Sequence, residues 1–116
     1  MKSVIVVDDD EDSRNALSDI LEFKGVTVLA KAINGYEAVQ KFSEYMPDVV
    51  LMDLMMPKYD GFYGLEHIKN ISPNAKIIIV TADQTGKTRT KLKKMQHDLI
   101  ILKPVDTDKL VKMINA

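Results

Sequence analysis

The sequence predicts a doubly wound α/β domain, and two features of its patterning say so. Five short apolar runs recur along the chain, and the stretches between them carry apolar residues at helical spacing. Four of the five runs are continuous and rich in β-branched residues, as expected of strands covered on both faces in a parallel sheet. Strand and helix patterns alternate five times without an internal repeat or a linker, which is the signature of an α/β layer architecture.

The elements follow in order. Ser3–Val7 (SVIVV) is the first strand. Ala16, Leu17, Ile20, Leu21 and Phe23 then form a helical stripe that Gly25 can stop. Thr27–Ala32 is the second strand and the one mixed run. Asn34 can cap a helix carrying Ala38, Val39 and Phe42, with Pro47 beyond its end. Val49–Met52 is the third strand; Phe62, Leu65, Ile68 and Ile71 make the next stripe, closed by Ser72 and Pro73. Ile77–Val80 is the fourth strand. The stretch Thr85–Gln96 is the weakest helix, since Thr85, Gly86, Thr88 and Thr90 are poor helix formers and only Leu92 and Met95 give it an apolar stripe. Leu99–Leu102 is the fifth strand, and Leu110, Val111 and Ile114 mark a last helix capped by Asp106 or Thr107.

Composition narrows the function classes. The 116 residues suit one domain, read here as spanning 1–116, and 46% hydrophobic residues can fill a core. The formal charge of -1 argues against a generally basic nucleic-acid surface. Cysteine is absent, which excludes disulfides and thiol chemistry. The N-terminus turns acidic at Asp8, unlike a signal peptide, and no apolar run approaches the roughly 20 residues of a membrane span. The expectation is a soluble, cytoplasmic protein.

In such folds, sites form at the carboxyl edge of the strands. Asp8, Asp9 and Asp10 follow the first strand, Asp53 follows the third, Thr81 the fourth and Lys103 the fifth. Clustered carboxylates repel one another unless a cation offsets them, and hard oxygen ligands of this kind suit Mg²⁺. Asp53 can then act as a nucleophile toward phosphorus, while Lys103 and the Thr81 hydroxyl hold phosphoryl oxygens. Acidic residues after a strand often only cap the next helix, and Asp10, Glu11 and Asp12 are read so. Two further adjacent carboxylates exceed that need.

These segments resemble the receiver domain of two-component response regulators, over the length of the chain. Val6–Arg14 (VVDDDEDSR) is similar to the family's acidic motif, and Leu51–Gly61 (LMDLMMPKYDG) to its phosphoacceptor motif with the turn residues Pro57, Asp60 and Gly61. Ile77–Asp83 (IIIVTAD) sets Thr81 at the switch hydroxyl, and Leu102–Leu110 (LKPVDTDKL) sets Lys103 at the family's lysine. The resemblance implies a flavodoxin-like, five-stranded sheet in the order 2-1-3-4-5. It implies Mg²⁺ held by Asp9, Asp53 and the Met55 carbonyl, with Asp8 acting through water. It implies phosphorylation of Asp53 by a histidine kinase or phosphotransfer protein, with self-catalysed transfer and dephosphorylation. The output would be a switched surface for an effector protein or a cognate output domain, on a monomer or weak homodimer of the stand-alone, chemotaxis-regulator-like kind.

Three features depart from the family's pattern. Ile100 stands where an aromatic switch residue is usual, Gln96-His97 replaces a small Gly-Ala step, and the connection after Thr81 carries Gly86 and several threonines. Lys87, Arg89, Lys91, Lys93 and Lys94 give the fourth-helix region a basic face, read first as solvated and second as a dock for an acidic partner. His97 is read as a surface residue, His67 as lying on the third helix, and the methionines from Met46 to Met113 as packing groups. Tyr59 and Tyr63 sit near the pocket rim. Competing readings are a phosphorylation-independent binding module, an Mg²⁺-dependent phosphohydrolase (disfavoured by Met55 where a second acidic group would stand), and a flavodoxin-like electron carrier, whose cofactor phosphate the three aspartates would repel.

Overall fold

Strands and helices alternate throughout the computed structural model, which describes residues 2–97 and 99–116. The elements are β1 (Ser3–Val7), α1 (Glu11–Phe23), β2 (Thr27–Ala32), α2 (Gly35–Tyr45), β3 (Val49–Met52), α3 (Gly61–Ile71), β4 (Lys76–Thr81), α4 (Gly86–Lys94), β5 (Ile100–Leu102) and α5 (Thr107–Asn115). All pairings are parallel and the sheet order is β2-β1-β3-β4-β5, as the resemblance implies.

Strand side chains alternate between faces, so each strand feeds two cores. Ile5, Val7, Val50, Met52, Ile77 and Ile79 pack on one face with Ala38, Phe42, Leu65, Ile68 and Leu92, from α2, α3 and α4. Val4, Val6, Val49, Leu51, Ile78, Val80 and Ile101 pack on the other with Leu21, Leu110 and Ile114, from α1 and α5. This double burial is why four of the strands read as unbroken apolar runs, and β2, at the edge of the sheet and only partly covered, is the mixed one.

Local chemistry sets the helix ends. Asp10, Asn34, Asp60, Thr85 and Asp106 are the five N-caps, each side chain accepting a backbone N–H three residues on. The capping role expected of Asp10 therefore stands, with Glu11 and Asp12 in the first turn of α1. The weak helix is shorter than expected. Thr85 caps it from outside and it ends at Lys94, because Gln96 takes a left-handed φ of 55° and breaks the helical run. β4 runs one residue further at each end than its apolar core, and β5 starts one residue later.

Two readings are corrected. His97 is buried, not on the surface: its amide donates to the Leu92 carbonyl (3.0 Å), and its Nε2 lies 3.2 Å from the Leu99 carbonyl, folding the ring inward. Met46 and Met55 are 61% and 65% exposed and so are not packing groups. Met46 holds a left-handed C-cap position, and Met55 rides on the loop after β3. Met52 and Met56 are buried as expected.

Candidate functional site

The parallel register brings the acidic groups together. Val7 pairs with Met52 at the ends of β1 and β3, so the next residues, Asp8 and Asp53, emerge side by side. Backbone bonds hold them there: Asp53 N–H donates to the Val7 carbonyl and Asp8 N–H to the Ala32 carbonyl, both at 3.0 Å. Asp8 and Asp53 are buried, while Asp9 is exposed at the rim. One oxygen from each of the three carboxylates lies within 4.8 Å of the others.

Lys103 closes the site from β5. Its backbone N–H donates to the Thr81 carbonyl (2.9 Å), which fixes the turn, and its ammonium donates to Asp53 Oδ2 (3.1 Å) and Asp8 Oδ2 (3.3 Å). Burial pulls the Lys103 pKa down, but the hydrogen bond and charge of Asp53, joined by Asp8, outweigh it and hold the ammonium above its ordinary value. The remaining Asp53 oxygen, Oδ1, accepts the Met55 N–H at 3.3 Å. Arg14 is engaged with the Asp8 backbone carbonyl (2.9 Å).

Three carboxylates against one ammonium leave two negative charges, which matches one divalent cation. Octahedral Mg²⁺ at about 2.0–2.1 Å from its ligands sets opposite oxygens roughly 4 Å apart. The carboxylate oxygens, within 4.8 Å of one another, fit that ion with small adjustment.

Thr81 ends β4 and is 1% exposed. Its hydroxyl oxygen accepts the Asp83 N–H at 3.1 Å, so the hydroxyl is engaged with its own loop. Gly61 matters to Asp53 directly: a Cβ there would lie 2.2 Å from the Asp53 carbonyl oxygen and 2.8 Å from Leu54 Cα, so only glycine lets α3 start this close. Gly61 N–H also donates to the Leu54 carbonyl (3.0 Å). Tyr36, Tyr59, Tyr63 and His67 form a ladder of rings beside the loop, with successive centroids 5.3, 4.9 and 3.9 Å apart. Sequence reading singles out Tyr59 and Tyr63 near the rim; His67 stacks on Tyr63 four residues away along α3, while Tyr36 of α2 joins them only through the fold.

A parallel sheet whose central strands end in a buried carboxylate pair joined by a lysine is the arrangement that the resemblance to receiver domains implies. Residues 4–115 match the model of the response regulator receiver domain family, and the chain belongs to that family. The chemotaxis protein CheY of Thermotoga maritima is 38% identical over 115 residues, covering 98% of this chain and 95% of that protein. CheY of Bacillus subtilis is 37% identical over 113 residues, covering 97% and 93%. Among solved structures, a LuxR-family DNA-binding response regulator from Staphylococcus aureus superposes with a TM-score of 0.90 at 31% identity, covering 99% of this chain and 97% of that one. A chain of the CheX–CheY–BeF₃–Mg²⁺ complex from Borrelia burgdorferi gives 0.86 at 28% identity, covering 96% and 84%. The function is that of a two-component signalling receiver. No described helix is long and apolar enough to cross a membrane.

Proposed function

We propose that Asp53 is the phosphoacceptor of this receiver, taking its phosphoryl group from a histidine kinase or phosphotransfer protein of the cytoplasm. The supporting observation is the buried Asp53 carboxylate between a cation donor and two further carboxylates. Mg²⁺ would be held by Asp9, Asp53 and the Met55 carbonyl, with Asp8 through water, and would offset the charge of the acidic cluster and the phosphoryl group. An Asp53 oxygen attacks phosphorus, the donor's P–N bond breaks, and the imidazole leaves. Lys103 already points its ammonium at the attacking carboxylate and can transfer one hydrogen bond to a phosphoryl oxygen. Thr81 supplies a hydroxyl to a second oxygen once it turns from its loop. Attack by water on phosphorus then breaks the bond between the Asp53 oxygen and phosphorus, releasing inorganic phosphate and restoring the carboxylate. The product is a changed protein-binding surface, read by an effector or a cognate output domain that favours one state. Residues 1–116 act as one receiver unit, monomeric or weakly dimeric.

Incubation with acetyl phosphate, followed by intact mass measurement, tests this. The expected result is one phosphoryl adduct that requires Mg²⁺ and is absent in Asp53→Asn. No adduct, together with no beryllofluoride binding, would overturn the proposal in favour of a phosphorylation-independent module.

A further inference from the structure

Position 100 lines the same hollow as Thr81, and in this chain it holds isoleucine. The register pairs Thr81 with Leu102 and Ile79 with Ile100. A hollow of about 280 Å³ lies here, lined by Thr81, Asp83, Thr88, Leu92, Ile100 and Leu102 among others. An aliphatic side chain at its wall has no polar group with which to follow the Thr81 hydroxyl. A different set of polar contacts does reach that hydroxyl.

Asp83 stands at its centre. Its backbone N–H donates to Thr81 Oγ1 (3.1 Å). Its carboxylate faces the other way: Oδ1 accepts the Thr85 N–H (2.9 Å), and Oδ2 accepts the Thr88 hydroxyl. Thr85 is the N-cap of α4, and its own Oγ1 accepts the Thr88 N–H (3.3 Å). Thr88 is buried on the inner face of α4. The hydrogen bonds from Thr88 and then Thr85 also hold the Asp83 carboxyl below its ordinary pKa, so it stays ionised as an acceptor. One residue thus grips the hydroxyl at the end of β4 with its backbone and the first turn of α4 with its side chain.

We propose that Asp83 is a positioning residue that ties Thr81 to the start of α4, so that movement of the Thr81 hydroxyl is passed to the helix through the Asp83–Thr88 contact, without an aromatic partner at position 100. This rests on the phosphoacceptor reading, since it needs Thr81 to turn toward a phosphoryl oxygen. That turn takes the acceptor from the Asp83 N–H. Asp83 must then shift, and Thr85 and Thr88 shift with it. On this inference the contacts seen here belong to the free loop and are exchanged when Thr81 turns, which is what a two-state element requires.

The experiment records amide NMR spectra of the full chain before and after Mg²⁺ and beryllofluoride, for the parent, Thr88→Val and Thr88→Ser. Phosphoryl labelling from acetyl phosphate is followed by mass in parallel. The parent is expected to show shifts at both Asp53–Met55 and the α4 amides 86–94. Thr88→Val keeps the size of the side chain but loses the hydroxyl. It is expected to label at the parent's extent, keep the shifts at Asp53–Met55, and lose those in α4. Thr88→Ser restores the hydroxyl and is expected to restore the α4 response. An α4 response in Thr88→Val equal to the parent's would overturn the inference, as would a serine variant that behaves like valine. A parent that neither labels nor binds beryllofluoride would instead overturn the phosphoacceptor reading, and this inference with it.

Discussion

Lys103 carries a charge that two carboxylates share, and its contribution to stability has a defined sign. Its folded pKa is raised above the ordinary 10.5, so its stabilisation is complete below 10.5 and is lost as pH rises through the higher folded value. Lys103→Gln is expected to lower stability at neutral pH without divalent cation, because Asp8 and Asp53 lose their counter-charge. It should also flatten the alkaline fall in stability. Urea denaturation of both proteins on either side of pH 10.5 checks this. These site residues are legible in the sequence, since each follows an apolar run directly and strand ends converge at one edge of a parallel sheet. The relay through Asp83 and Thr88 is not. In sequence those threonines count only as poor helix formers; their value as capping and hydrogen-bonding groups appears once the loop brings them to one carboxylate.

Helix α3 begins against the backbone of the residue it serves. In Gly61→Ala the new Cβ would overlap the Asp53 carbonyl oxygen, so the loop from Leu54 to Asp60 must move. A loss of about 1–3 kcal/mol in denaturant stability is expected, the usual range for forced overpacking, with slower phosphoryl labelling alongside. Asn34→Ala removes the acceptor for the Glu37 N–H (2.8 Å) at the start of α2 and is expected to cost about 1 kcal/mol with labelling unchanged. The contrast separates a glycine that places the site from a cap that only holds a helix. At α4, Gly86 has open space where a Cβ would lie and no positive φ. Gly86→Ala is expected to stabilise the helix by about 0.4–1 kcal/mol, seen as slower amide exchange in residues 86–94. The position of α4 is legible from Leu92 and Met95, but its length is not, because the end depends on Gln96 and on the inward turn of His97. The basic residues of α4 are all exposed, and Lys91 among them lies 4.2 Å from the Phe62 ring centroid and so reaches α3.

The whole molecule is a sheet with two cores and an acidic edge, and cation binding at that edge should be felt throughout. Mg²⁺ that binds only the folded protein stabilises it by about 2.7 kcal/mol at a hundredfold excess over Kd. The parent is therefore expected to melt at a higher temperature with Mg²⁺ than with chelator, and Asp9→Asn to lose most of that difference. Fold class is legible because four of the five strands face two helical layers and so carry an unbroken apolar signal, while the strand order is implied by the family resemblance rather than by the pattern. The aromatic ladder from Tyr36 to His67 is not legible, since its members come from α2, the loop after β3, and α3. Whether one carboxylate, Asp53, takes the phosphoryl group is tested most directly by chemical trapping. The protein is labelled with acetyl phosphate and Mg²⁺, reduced with borohydride, and its peptides are mapped by mass. Conversion of Asp53 to homoserine, only when Mg²⁺ was present, is the expected result. Homoserine at Asp8, Asp9 or any other position with Asp53 intact would contradict it.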